Sequence, residues 1–143
     1  MKTGVVRLLA VVTGALCMSV AVADFDGSEP LICSFGQIFE CDAGKSKCHA
    51  VSHESVDAPD FIKLDFRRSQ IVSMNGAEES APDAIDNIDK LDNYLVAQGV
   101  QGGSNGDTLA WSASISYETG QIVVTAAGEK AGFVVFGACA ALE

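Results

Sequence analysis

The stretch LAWSASISYETGQIVVTA, residues 109–126, decides the fold. Leu109, Trp111, Ala113, Ile115 and Tyr117 alternate with Ala110, Ser112, Ser114 and Ser116. That period of two puts the large apolar side chains on one face of an extended strand and the small or hydroxylated ones on the other. Glu118-Thr119-Gly120-Gln121 interrupts the rhythm with a glycine, the residue that enters positive φ most easily in a hairpin loop. Ile122, Val124 and Ala126 then resume it. Pairing Tyr117 with Ile122, Ile115 with Val124 and Ala113 with Ala126 keeps every apolar side chain on one face. A slip of one residue would set Gln121 and Thr125 against them, so the pattern constrains the register. A second turn, around Gly128 to Gly132, leads into Phe133-Val134-Val135-Phe136, which is apolar on both faces and is expected to lie centrally or covered on both sides.

Working outward, Leu31 to Phe39 and His49 to His53 read as strands. Ile62, Leu64 and Phe66 alternate with Lys63 and Asp65, and Arg67-Arg68-Ser69 turns the chain into Gln70 to Met74, giving a hairpin. Asn75 to Asp83 reads as an exposed acidic loop. Ile85, Ile88 and Leu91, at spacing three, would suit one helical turn, but Asp92-Asn93 as a hairpin turn before a strand from Tyr94 to Val100 favours a strand there. Gln101 to Asp107, with Gly102, Gly103 and Gly106, reads as a mobile connection. About seven to nine short strands without a long helix imply an all-β, mainly antiparallel domain. The expected architecture is a small closed or partly open β-barrel, with a two-sheet sandwich as the alternative.

The N-terminus has the grammar of an export signal. Lys2 and Arg7 precede an apolar run that closes at Ala21-Val22-Ala23, a small-x-small cleavage site, so residues 1–23 are expected to be a signal peptide and residues 24–143 one domain. Thr13, Gly14 and Ser19 within the run argue against a membrane anchor. Lipidation at Cys17 is a minor alternative, since Leu16 stands where that processing usually wants Gly or Ala. The expected location is therefore periplasmic or secreted. The chain carries 9 Lys plus Arg against 19 Asp plus Glu, a net charge of −10, and the leader would take two of the bases with it. So acidic a surface repels nucleic acid and anionic membranes, so neither a nucleic-acid partner nor stable membrane insertion after cleavage is expected.

Of five cysteines, the leader holds Cys17, and Cys33, Cys41, Cys48 and Cys139 remain. An even set in an exported chain reads as two disulfides. The favoured pairing, among three, is Cys41–Cys48 around a short loop and Cys33–Cys139 joining the first strand to the last, a link that favours a barrel by protecting its edges. A zinc site would want closely spaced thiolates, and no CxxC pair is present.

The remaining motifs have plain explanations. Gly102-Gly103-Ser104-Asn105-Gly106 matches the G-x-S-x-G nucleophile elbow, but a strand follows it where that chemistry needs a helix, and both histidines precede the serine. His49 and His53 would share a strand face without forming a metal set. Asp83, Asp86, Asp89 and Asp92 recur at spacing three but lack the alternate-position acids, central glycine and final glutamate of a calcium loop. Trp111, Ile115, Tyr117, Phe133 and Val135, with Phe136, are the candidates to line a ligand cavity. The alternative for the same residues is a packed core. No catalytic residues, cofactor or metal are expected.

Residues distributed along the chain carry a resemblance. They are the Cys33 segment with Cys41 and Cys48, Pro59 to Phe66, Gln98-Gly99-Val100, Trp111-Ser112 with Thr119-Gly120, and Gly132 to Cys139. In these the chain resembles a family of small exported proteins of Gram-negative bacteria with no assigned activity, from which it departs by a longer acidic insert around Glu78 to Asp83. The resemblance implies export and an intact domain, and carries no catalytic or binding residues over. The functional expectation is a non-enzymatic exported binding or accessory protein, taking either a small apolar ligand or a protein partner. The rival readings are a small envelope enzyme using Asp or Glu acid–base chemistry and an acidic inhibitor of a cationic enzyme.

Overall fold

A computed structural model describes residues 24–102 and 108–142. The expected leader with Cys17, and Gly103 to Gly106 of the serine motif, lie outside the described residues. The strands are β1 (Leu31–Asp42), β2 (His49–Val51), β3 (Phe61–Asp65), β4 (Gln70–Asn75), β5 (Glu78–Glu79), β6 (Asp83–Ala84), β7 (Asn87–Lys90), β8 (Tyr94–Gly102), β9 (Thr108–Ser116), β10 (Gln121–Ala127) and β11 (Ala131–Ala141). All pair antiparallel in one sheet, in the order β5-β4-β3-β1-β11-β10-β9-β8-β7, with β2 added to β1 and β6 to β4. The sheet curls into a half-barrel.

Residues 83–90 partly close it. β6 pairs with β4 through Ile71↔Asp83 and Gln70↔Ala84, and the Ile85 N–H donates to Ser69 O at 2.8 Å. One residue on, the Asp86 N–H donates to Gln98 O at 2.8 Å, and β7 continues along β8 from Asn87↔Gln98 to Lys90↔Leu95. The chain thus crosses from the β4 edge to the β8 edge at Ile85, which is buried. Beyond that crossing, Ser73 to Asn75 of β4 and Val100 to Gly102 of β8 do not pair with each other, and the half-barrel stays open. The acidic segment expected to be plain loop therefore contains β5 and β6, the second of which helps to draw the sheet round.

The closed end is packed solid. Leu31, Leu64, Leu95, Ile115 and Ile122 are fully buried there, with Phe25, Phe66 and Ile85 around them, and each such side chain contributes about 1.5–3 kcal/mol by leaving water. Phe25 seals the floor against Gly120, where a Cβ would stand 2.6 Å from its ring. Gly120 also has φ +67° and donates its N–H to Ser116 O at 2.9 Å, so a side chain is excluded there on two counts.

Both disulfides form as paired in the sequence reading, and each links neighbouring antiparallel strands. Cys33–Cys139 joins directly opposed positions of β1 and β11, and Cys41–Cys48 ties the end of β1 to the start of β2. They indicate an oxidising, extracytoplasmic environment. No helix among the described residues is long and apolar enough to cross a membrane.

Three details differ from expectation. First, the long disulfide does not join open edges, because β1 and β11 are neighbours in the middle of the sheet and the seam lies between β4 and β8. Second, β9 and β10 pair as Ile115↔Ile122, Ala113↔Val124 and Trp111↔Ala126. That is two residues away from the expected register, a shift that keeps the same side chains inside while putting Tyr117 in the loop. Third, β11 is central but is not covered outside. Phe136 is 43% exposed and stands edge-to-face with Phe39 at 6.2 Å between ring centres.

A cavity at the open end of the half-barrel

Toward the open end the inward residues of β9 and β10 become small. Ile115 faces Ile122 at the floor, whereas Ala113 faces Val124 and Trp111 faces Ala126 one and two steps up. The Trp111 indole does not fill the space above Ala113, because it lies against Gly99 on the neighbouring strand. A Cβ at Gly99 would stand 2.7 Å from its Cζ2, 2.9 Å from Cε2 and 3.0 Å from Nε1. Only glycine permits that approach. On β1 a bulge at Gly36 shifts the pairing between Phe35 and Gln37, so Ile38 points inward and is buried while Gln37 points out.

These choices leave a cavity of about 500 Å³. Its walls are Phe35 and Ile38 of β1, Ile62 of β3, Ile71 of β4, Trp111 and Ala113 of β9, Val124 and Ala126 of β10, and Phe133 and Val135 of β11. The rim is polar on the seam side. Along β4 the inward series runs Ile71, Ser73, Asn75, and along β8 it runs Leu95, Ala97, Gly99, Gln101, so both strands pass from apolar to polar toward the mouth. Gln101 Nε2 donates to Asp83 Oδ2 at 3.3 Å. Asn75 Oδ1 accepts the Asp60 N–H at 3.2 Å, and Asp60 Oδ2 in turn accepts the Gly76 N–H at 3.1 Å.

The loop from Ser52 to Asp60 supplies Val56 to Pro59 to the rim. His53 O accepts the N–H groups of Val56 and Ala58 at 3.4 and 3.0 Å, and His53 Nδ1 donates to Pro59 O at 3.2 Å. That last bond places a proton on Nδ1, since a carbonyl can only accept. Asp57, at the apex, takes φ +52°, a region open to Asp and Asn more readily than to most residues. The turn between β10 and β11 brings Glu129 and Lys130 to the same mouth.

Of the residues singled out by sequence, Trp111, Phe133 and Val135 line this cavity together. Ile115 lies below it in the solid floor. Tyr117 is at the far end, in a shallow polar depression with Asn93, Tyr94, Ser116 and Glu118. Burial, and after it the carboxylates of Asp26 and Asp24, push the Tyr117 phenol up from its ordinary pKa. Phe136 points away from the barrel interior. Phe35, Ile38, Ile62 and Ile71 were missed: the inward parity of Ile38 is read only once the bulge is known, and the place of Phe35, Ile62 and Ile71 beside the later strands only once the sheet order is known. The run of small inward residues, Ala113 and Ala126 with Gly99, was the available signal.

The acidic and histidine motifs disperse. Asp83 and Asp86 hold β8 through Gln101 and through the Val100 N–H at 3.1 Å, while Asp89 accepts from Asn87 at 2.7 Å. His49 stands 3.8 Å from Glu40, and His53 belongs to the rim loop. Among the described residues no group of three His, Cys, Asp or Glu is placed to hold a metal ion. Comparison with family models, curated proteins and solved structures gives no match to this chain.

Proposed function

We propose that this chain is a non-enzymatic binding protein of the periplasm or the extracellular space that carries one small apolar ligand in the open end of its half-barrel. The observation that carries the reading is the cavity itself. At about 500 Å³ it falls within the range of small-molecule sites, roughly 300–1,000 Å³. Its walls are aliphatic and aromatic, and its polar groups are confined to the mouth, the distribution that orients a molecule with an apolar body. Larger residues at Ala113 and Ala126 would have narrowed the space, and the fully packed floor is the same sheet with larger inward residues.

The chain's one tryptophan lies in the cavity wall, so binding is read directly. Straight-chain alcohols of increasing length are titrated against Trp111 emission. Each buried methylene contributes about 0.8 kcal/mol, so affinity rises roughly fourfold per carbon until the chamber is full and then levels off. Native mass spectrometry of protein recovered from an envelope fraction supplies a second readout, a one-to-one adduct. A featureless titration with a bare mass spectrum would reject the reading.

A further inference from the structure

Resting on that reading, we infer that the ligand is an amphiphile whose head group is not anionic, bound with its tail toward Ala113 and its head on the β4–β8 seam. The uncharged polar side chains at the mouth are gathered on one side of it. Ser73 and Asn75 of β4 lie across the open seam from Gln101 of β8, whereas the opposite wall is Phe133, Val135 and Val124, below the charged turn residues Glu129 and Lys130.

The rim groups are partly committed, and what remains defines the head. Asn75 uses its carbonyl on the Asp60 N–H and keeps amide donors, Gln101 uses its amide on Asp83 and keeps a carbonyl acceptor, and Ser73 adds a hydroxyl. Donors and acceptors together suit a hydroxyl, amide or amine. A carboxylate or phosphate head would need cationic partners, and the charges nearby have the wrong sign. Asp57 and Glu129 line the mouth, Asp60 and Asp83 lie directly behind Asn75 and Gln101, and Asp86 accepts the N–H of Val100 beside Gln101. Lys130 is the one cation among the described lining residues, and the whole chain carries −10. An anionic head entering this rim is repelled at close range by groups that cannot all move away.

The test compares decanol, decylammonium and decanoate, one tail with three heads, on the full exported protein at neutral pH with Trp111 emission as readout. Decanol and decylammonium are expected to bind more tightly than decanoate by about tenfold. Raising the salt should narrow the gap for the charged pair and leave decanol unmoved. In the double variant Asp57→Asn, Glu129→Gln, decanoate should gain severalfold relative to decanol. Asn tolerates the φ of position 57, and an unchanged melting temperature shows that the fold is intact. Decanoate binding as tightly as decanol, or a gap indifferent to both salt and the double variant, overturns the head-group inference while leaving the cavity reading standing. Failure of all three to bind overturns both.

Discussion

Replacing Gly99 by alanine tests how the cavity is made. The new Cβ would lie 2.7 Å from Trp111 Cζ2 and 2.9 Å from Cε2, against about 3.5–4.0 Å for carbon atoms in comfortable contact. The shortfall is roughly 1 Å, and the rigid ring must move as a body. The neighbouring β8 backbone is held by its ladder to β9 from Tyr94↔Ser116 to Gly102↔Thr108, so the free direction is into the cavity. Overpacking of a core costs about 1–3 kcal/mol, and the empty space beyond the indole places this variant near the lower end. A melting scan should show a fall of about 4 °C per kcal/mol lost. Two further changes set this apart from ordinary destabilisation. Trp111 emission shifts because the ring changes its surroundings, and decanol affinity falls because the ring now occupies the site. Gly99→Ala with unchanged emission and undiminished binding would refute the claim that the indole is parked on β8.

Other expectations follow from the rest of the molecule. Replacing Cys33 and Cys139 together by serine removes a cross-link spanning 106 residues and should cost about 4–5 kcal/mol in the chain-entropy account. Replacing Cys41 and Cys48, 7 apart, should cost about 2–3 kcal/mol, and denaturant titration that ranked the pairs the other way would contradict this. Phe25→Ala unseals the floor and should cost about 3–5 kcal/mol, measured the same way, while an effect below about 1 kcal/mol would show that the segment before β1 does not plug the barrel. The Tyr117 phenol has its folded pKa raised by burial and by Asp26 and Asp24, so the folded chain keeps that proton longer than the unfolded one. Stability from this group is whole below about pH 10 and is lost as pH rises through the folded value. Ultraviolet titration in a Tyr94→Phe background should find the Tyr117 transition moving down on Asp26→Asn, and an unmoved transition would remove Asp26 as a cause.

Much of the fold is legible in the sequence because period-two alternation leaves few alternatives. Ser112, Ser114 and Ser116 between Trp111, Ala113, Ile115 and Tyr117 define β9 almost to the residue, and Cys33 and Cys139 on first and last strands favour one of three possible pairings. The register between β9 and β10 was harder, because a slip of two residues conserves every face. It was settled by Gly120, whose positive φ falls at the last loop position and whose bare Cα accepts Phe25, a contact between segments far apart in the chain. The bulge at Gly36 was invisible for a related reason: nothing local says that Ile38, and not Gln37, follows Phe35 on the inside. The site was half legible. Aromatic residues at Trp111 and Phe133 stood out, but empty space is encoded by what is small, and Ala113, Ala126 and Gly99 look unremarkable until the strands that carry them are placed side by side.

The central claim is a half-barrel solid at one end and hollow at the other, with the hollow built to hold an apolar body. A crystal structure of the protein equilibrated with decanol measures this directly. The account predicts continuous density for one alkyl chain between Trp111, Phe35 and Phe133, its hydroxyl within hydrogen-bonding reach of Ser73, Asn75 or Gln101. A chamber closed by inward movement of Trp111 and Phe133, with no room for the chain, would contradict it.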